Sequence, residues 1–421
     1  MDKRIAVVRG DYSSPEVITQ TLRVLQAVAD KYEHKFEFVD ACVGGEALDK
    51  FGEPLPKTEF DKCIVSDAVL MGSIGGPKWK EFTGDKRPET ALEKLRIGMG
   101  LFTNMKYAKL WSQISTLSPL KEQIVGKGVD YLIIRELSGG IYYGKHDTVQ
   151  LDSGMEYAYD IMQYDSKEIE RIGKIAFSFA MKRRKRVCLV GKPDVLDTSR
   201  LWLKITTEVS KEFPDVIFTD MSVENCATLL NKNPAQFDVI LTENMFGEVL
   251  GAQASVNAGS LGMVPSCSID EKHFGLFGMT QGSAPELAGK DTVNPLASVL
   301  STALMLKYCF DMKKEAEDVE RAVERVLDRG YRTPDIMSEG YMLVSTRGMG
   351  DALVAEITGE SEAKFFEAVK EVEKIMGSSS SPKEKAEQAA KEQQENAEAA
   401  ETAETSEDIP AEAPAEQENN S

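Results

Sequence analysis

The chain has 421 residues, 42% hydrophobic, 8% aromatic and 28% charged, room for two domains of ordinary size and neither membranous nor low-complexity as a whole. Its formal net charge is −19; residues 377–421, with twelve acidic and three basic residues, carry −9 of it and residues 1–376 the other −10. So acidic a body repels phosphate backbones and anionic lipid, no apolar run is long enough to cross a bilayer, and the start MDKRIAVV has no signal-peptide layout, so neither nucleic acid nor a membrane is expected as a partner.

In chain order, short apolar runs at Ile5–Val8, Phe36–Val39, Ala68–Met71, Tyr131–Ile134, Val187–Val190, Val216–Thr219 and Val239–Leu241 read as buried strands. Amphipathic helices are expected at Pro15–Ala29, Ser166–Met181 and Thr198–Phe213. Pro15 and Glu16 suit a first helical turn, where a missing N–H is harmless and an acid faces the positive end of the dipole. The stretch around Arg96 reads as a helix ending near Asn104, and further helices are expected at Leu296–Phe310, Lys314–Arg329 and Ser361–Met376. The basic run Lys182–Arg186 reads as a solvated helix end. After Gly377 almost nothing apolar is larger than alanine, so 377–421 is expected to be a disordered acidic tail. The alternation defines an α/β fold with at least part of the sheet parallel.

Cys42, Cys63, Cys188, Cys226, Cys267 and Cys309 are scattered without a CxxC pair, which reads as reduced packing thiols in a cytoplasmic protein. With only His34, His146 and His273, a histidine-based zinc site is not expected, leaving carboxylate, lysine, tyrosine and arginine chemistry. Glycines follow strands at Gly72, Gly75 and Gly76, at Gly139 and Gly140, and punctuate 258–263, yet no GxGxxG or P-loop occurs.

Three clusters carry candidate chemistry. Arg96, Lys106 and Arg135 either clamp a di- or tricarboxylate or pair with neighbouring acids such as Glu93 and Glu136; Arg96 and Lys106 converge only if the chain turns at Thr103–Asn104. Tyr142 and Lys192 suit an acid and a base at strand ends, or ordinary surface positions, with Thr198 as the expected helix cap. Glu224, Glu243 and Glu248 supply the oxygen ligands a hard divalent cation needs, or are acids favoured at helix N-termini.

Read together, DAVLMGSIGGPKW (67–79), LRIGMGLFTNMK (95–106), RELSGGIYYG (135–144), GKPDVLDTSRLW (191–202), TENMFGEVL (242–250), AGSLGMVPS (258–266) and QGSAPELAGKDTVNP (281–295) resemble the β-decarboxylating dehydrogenases, the family of 3-isopropylmalate and isocitrate dehydrogenases. The resemblance spans residues 3 to about 376, and GGPKW with the RPE downstream is closest to the isopropylmalate branch.

The resemblance implies a two-domain fold with a non-Rossmann cofactor site: 1–110 with 270–376 for the cofactor, 111–269 for substrate and dimerisation. It implies oxidative decarboxylation of a 2-hydroxy diacid, foremost 3-isopropylmalate, by a homodimer using NAD and Mg²⁺ or Mn²⁺. Arg96, Lys106 and Arg135 would then hold the substrate carboxylates, Tyr142 protonate the enolate carbon and Lys192 relay the hydroxyl proton. Metal ligands fall on Glu248 and, from the partner subunit, Glu224. Glu89 matches the acid beside the nicotinamide, and Gly282, Ser283, Ala284, Glu286 and Asn294 lie in the loop around adenosine. An anion at Glu286, where the family has an aspartate for the ribose, favours NAD over NADP.

The sequence also departs from the family pattern. Lys106 replaces an arginine and loses its fork, Glu248 and Glu224 replace aspartates, and Ala252 stands where a further metal aspartate is expected. Glu93 occupies an apolar position, Gln281 replaces a histidine, Gly278 replaces a glutamate, and the first loop reads RGDYSSPEV instead of GDGIGPEV. A dehydrogenase for another malate-type acid and a non-catalytic or regulatory relative are the alternatives these departures raise.

Overall fold

A computed structural model describes residues 1–279 and 281–359. In chain order its strands are β1 (Asp2–Val8), β2 (Lys35–Asp40), β3 (Ala68–Met71), β4 (Thr103–Lys109), β5 (Asp130–Glu136), β6 (His146–Gln150), β7 (Glu156–Asp160), β8 (Arg186–Gly191), β9 (Ile217–Ser222), β10 (Val239–Thr242), β11 (Pro265–Ile269), β12 (Gly275–Met279), β13 (Tyr331–Arg332) and β14 (Met342–Leu343). Ten of them form one sheet in the order β2-β1-β3-β12-β11-β4-β5-β10-β8-β9.

Both ends of that sheet are parallel and its middle is not. β2, β1, β3 and β12 run together, as do β5, β10, β8 and β9, while β12–β11, β11–β4 and β4–β5 are antiparallel. Each parallel block demands crossover helices, and the expected helices supply them: Ser14–Lys31 after β1, Ser166–Met181 before β8, and Asp197–Ser210 after it. One apolar core gathers Ala6, Val8, Val69, Met71, Leu95 and Leu276 around the first block; another gathers Tyr131, Ile133, Val190, Ile240, Leu250 and Ala254 around the second. The antiparallel seam leaves a change of strand direction between two cores, the kind of place where α/β sheets open a cleft.

Several expectations need correction. The helix carrying Arg96 is Thr90–Gly98, not a helix reaching Asn104: Gly100 at φ +67 turns the chain, and Thr103–Lys109 is a strand. The helix after Lys192 begins at Asp197 with Leu196 at its cap position, so Thr198 is inside it. The stretch expected as Leu296–Phe310 is the α-helix Leu296–Leu304 followed by a π turn, Met305–Cys309. Lys182–Arg186 is not simply a solvated end, because Arg183 binds Asp130 and Asp238 and Arg184 binds the carbonyls of Asp130 and Phe237. The helix expected at Ser361–Met376 and the tail at 377–421 lie outside the described residues.

Candidate active site

The cleft at the seam has about 340 Å³ of open space. Arg96, Lys106 and Arg135 line it together with Glu248, and Met71–Ile74, Glu89 and Gln281–Gly282 form the wall on the β3 side. The convergence follows from register: Asn104 lies opposite Arg135, Lys106 opposite Ser266, and Asn104 opposite Ser268. Arg96 enters from its helix and donates Nε–H to Ser268 Oγ at 3.2 Å. Pairing of these cations with Glu93 or Glu136 is not what the structure shows. Glu136 instead accepts from Ser138, Gly139 and Arg171.

The helix Asn244–Asn257 closes the cleft from the β10 side. Glu243 caps it, accepting from the backbone N–H of Phe246 at 3.0 Å and of Met245 at 3.3 Å, which explains the acid there without a ligand. Two glycines let this helix sit directly on the cations. A Cβ at Gly247 would lie 2.7 Å from Arg135 Cγ, and one at Gly251 would lie 2.9 Å from Lys106 Cδ. Asn244, Glu248 and Ala252 follow at four-residue intervals and so share one face. Asn244 Oδ1 accepts from Arg135 Nε and Nη2, and Glu248 Oε2 accepts from Arg135 Nη2 at 2.7 Å. Ala252 contributes no donor.

Crowding in a partly dry cleft disfavours the charge of Arg96 and Lys106. Burial first, and then the neighbouring Arg135, lowers Arg96 to about 10 and pulls the Lys106 ammonium below its ordinary range. Such a cluster gains most from a ligand bearing more than one negative charge.

Tyr142 stands at the mouth, with the Arg135 guanidinium 5.9 Å from its ring centroid. Burial and then Glu248 raise its phenol above the usual range, keeping it a proton donor. Lys192, in contrast, is brought to Glu224 and Asp194, with Nζ 3.3 Å from Asp194 Oδ2. The Glu224 hydrogen bond raises Lys192 and lowers Glu224. The described residues of one chain thus form two groups: Arg96, Lys106, Arg135, Tyr142 and Glu248 in one, Lys192 and Glu224 in the other.

The segment 281–294 is pinned from several sides. Ser283 is buried; its Oγ donates to Gly75 O at 2.8 Å and its carbonyl accepts from Ser13 Oγ at 2.7 Å. Glu16 accepts from the N–H groups of Gly289 and Asp291, and Asp291 in turn accepts from the Arg347 N–H at 2.8 Å. Asn294 is 3% exposed, and its amide is spent inside the protein, donating to Asp335 and accepting from the Leu296 N–H. Gly282 and Glu286 are exposed, and Ala284 is held at φ +43. Sequence reasoning missed Asn244, Ser268 and the anchoring role of Glu16. Asn244 had a signal, an amide two residues past the end of a strand and at the start of a helix; Ser268 lies on a strand that was not read.

These features coincide with a family match. Residues 4–353 match the isocitrate/isopropylmalate dehydrogenase family, and the chain belongs to it. Within that family it is 47% identical over 354 residues to the 3-isopropylmalate dehydrogenase of Clostridium acetobutylicum, covering 84% of this chain and 99% of that one. The 3-isopropylmalate dehydrogenase of Helicobacter hepaticus is 45% identical over 357 residues, with 85% and 100% covered. Among solved structures, isocitrate dehydrogenase from Methylococcus capsulatus superposes with a TM-score of 0.73 at 28% identity, over 85% of this chain and 99% of that one. A β-decarboxylating dehydrogenase from Thermococcus kodakarensis in its apo form gives 0.69 at 29% identity, over 85% and 96%.

Proposed function

We propose that this chain is an NAD-dependent dehydrogenase that oxidises and decarboxylates a 2-hydroxy diacid, with 3-isopropylmalate, the intermediate of leucine biosynthesis, as its substrate. The observation that carries the reading is the convergence of Arg96, Lys106 and Arg135 on one cleft, with Glu248 beside Arg135 and Glu89 on the β3-side wall. The carboxylates of a diacid find three cationic donors there, and the forks of Arg96 and Arg135 fix its orientation.

With the substrate so held, NAD⁺ when bound would supply the hydride acceptor for C2, and Lys192, which Glu224 holds as an ammonium in the free chain, would take the hydroxyl proton once its own proton has left and its amine is neutral. The adjacent carboxylate leaves as CO₂, its bonding pair forms the enolate, and Tyr142 returns a proton to the carbon that lost it. A hard divalent cation, Mg²⁺ or Mn²⁺, would supply when bound positive charge that stabilises the enolate. The donor set fits such an ion: Glu248 and Glu224, with oxygens of the substrate, are the one or two carboxylates plus ligand oxygens that Mg²⁺ ordinarily takes.

Because Lys192 pairs with Glu224, a site that draws Glu224 from a partner subunit draws Lys192 from it too. A homodimer is supported by the hairpin β6–β7, which pairs only with itself and exposes Tyr157 and Tyr159. Val249 and Val256 are exposed on the helix beside the cleft. Residues 1–110 and 270–376 serve the cofactor in this reading, and 111–269 the substrate and the partner. Gly282, Ser283, Ala284 and Glu286 line the nucleotide, Asn294 and Ser283 hold the loop in place, and Glu89 faces the nicotinamide. Glu286 repels a 2′-phosphate, which selects NAD. Six unpaired cysteines suit a reducing, cytoplasmic setting, and no helix among the described residues is long and apolar enough to cross a membrane.

Glu93, at an apolar position of the family pattern, favours a second reading in which another malate-type acid is taken. Ala252 favours a non-catalytic or regulatory relative. The test is NADH formation with CO₂ release from 3-isopropylmalate, NAD⁺ and Mg²⁺ or Mn²⁺, abolished in Lys192→Ala. No turnover on any malate-type acid moves the assignment to the regulatory reading.

A further inference from the structure

Tyr164 lies between β7 and the helix Ser166–Met181, in a stretch with no strand or helix of its own. It is 9% exposed, and its ring meets Trp202 edge-on with 5.4 Å between centroids, which holds the phenol in place. A buried hydroxyl must find hydrogen-bond partners. Tyr164 Oη finds them at the start of the helix Asn244–Asn257, donating to Glu243 Oε2 at 3.1 Å and accepting the Asn244 N–H at 2.9 Å. Burial, and then Glu243, push the phenol above its ordinary range, so the proton stays on Oη.

The same oxygen reaches the turn that carries Tyr142. That turn closes on Gly140, whose carbonyl accepts the Gly144 N–H at 3.0 Å. Gly140 stands at φ +83, and a Cβ there would fall onto Tyr164 Oη; a Cβ at Gly139 would lie 2.8 Å from Cδ1 of the same ring. The Gly140 N–H donates to the carbonyl of Gln163, beside Tyr164, at 2.9 Å. One buried hydroxyl thus stands between the turn bearing the proton donor and the helix start whose Asn244 aims Arg135.

We propose that Tyr164 is a positioning residue for the reaction: its hydroxyl spaces the Tyr142 turn from the Asn244 amide, so that the Tyr142 phenol and the Arg135 guanidinium meet the same bound diacid. The proposal rests on the substrate reading above. Tyr164 itself does not line the cleft, so it acts only through these two neighbours. Removing the hydroxyl leaves the Asn244 N–H without its acceptor and opens a gap beside Gly140.

The test is Tyr164→Phe in the full chain, which keeps the ring and deletes only the oxygen. Binding of 3-isopropylmalate is followed by calorimetry with Mn²⁺ and without NAD⁺, and kcat with NAD⁺ added. Diacid affinity and kcat are each expected to fall about tenfold, as for a buried donor left unpaired. KM for NAD⁺ should hold, because the contacts of Tyr164 lie outside 281–294. A double-mutant cycle separates positioning from packing: if Tyr164 acts on Arg135 through Asn244, adding Tyr164→Phe to Asn244→Ala should weaken diacid binding no further. Additive losses overturn the proposal. So does a Tyr164→Phe chain that is less stable in urea yet keeps wild-type affinity and kcat, the result a purely structural tyrosine gives. Lost affinity with wild-type kcat overturns the role at Tyr142. Wild type that binds the diacid without forming NADH removes the dehydrogenase reading, and the cycle then decides the positioning of Arg135 alone. Wild type that binds no diacid removes the substrate reading, and the proposal falls with it.

Discussion

Asn244 Oδ1 accepts two hydrogen bonds from the Arg135 guanidinium, at 2.9 Å from Nε and 2.6 Å from Nη2. Asn244 is itself fixed, its N–H donating to Tyr164 Oη at 2.9 Å and its Nδ2 to Gly139 O at 2.9 Å. One amide at the start of a helix thus aims the central cation of the cleft. Asn244→Ala removes hydrogen bonds to a charged group, each worth about 1.5–3 kcal/mol, so diacid affinity is expected to fall roughly tenfold to a hundredfold. The loss should appear in KM more than in kcat, and an unchanged KM would show that Arg135 needs no such support.

The close seat of the helix Asn244–Asn257 on Arg135 depends on a missing side chain. A Cβ at position 247 would stand 2.7 Å from Arg135 Cγ and 2.8 Å from its Cβ. Gly247→Ala should cost about 1–3 kcal/mol in urea unfolding and weaken the diacid as well, since either the helix or the arginine must shift. Wild-type stability with wild-type binding would contradict this packing.

A pH dependence follows from the crowded cations. Arg96, lowered to about 10, and Lys106, lowered by burial and by Arg135, lose protons in the folded cleft where the unfolded chain still holds them. As pH rises through that alkaline window the unfolded state binds more protons, so folding stability increases. Diacid binding moves the other way, because the cleft is losing positive charge. Calorimetry with an unreactive diacid should show weakening binding as pH is raised towards the lowered Lys106 range, and Lys106→Arg should shift that weakening upward. Identical profiles for wild type and Lys106→Arg would assign the effect elsewhere.

Dimerisation through the hairpin is testable without activity. Tyr157 and Tyr159 are exposed on β7, 6.4 Å apart between ring centroids, on a ribbon that pairs only with its own other strand. Replacing both with serine should shift sedimentation towards monomer, whereas an unaltered dimer would place the interface on another face.

Five of the seven apolar strand runs were legible because they are buried within the sheet and so read as continuous hydrophobicity; the runs in β2 and β9, the edge strands, are only partly buried. What escaped had a different physics. β4, with sequence TNMKYAK, carries polar residues into the cleft, and the helical period before it conceals the break at Gly98 and Gly100. β11 and β12 are rich in serine and glycine, and β6–β7 has no buried face to impose alternation. The motif resemblance named Arg96, Lys106, Arg135 and Glu248, which the cleft brings together. It did not reveal that Arg135 already holds Glu248, or that Lys192 travels with Glu224, since both depend on side-chain placement across elements far apart in sequence.

A hybrid of two inactive variants tests most directly whether Tyr142 of one copy works with Lys192 of another. Tyr142→Phe and Lys192→Ala chains, each expected to be inactive alone with 3-isopropylmalate and NAD⁺, are co-expressed under different tags and the mixed dimer is isolated. The account predicts that the mixed dimer forms NADH, because one of its two sites then joins an intact tyrosine to an intact lysine. A mixed dimer as inactive as its parents, beside an active wild type, would contradict it.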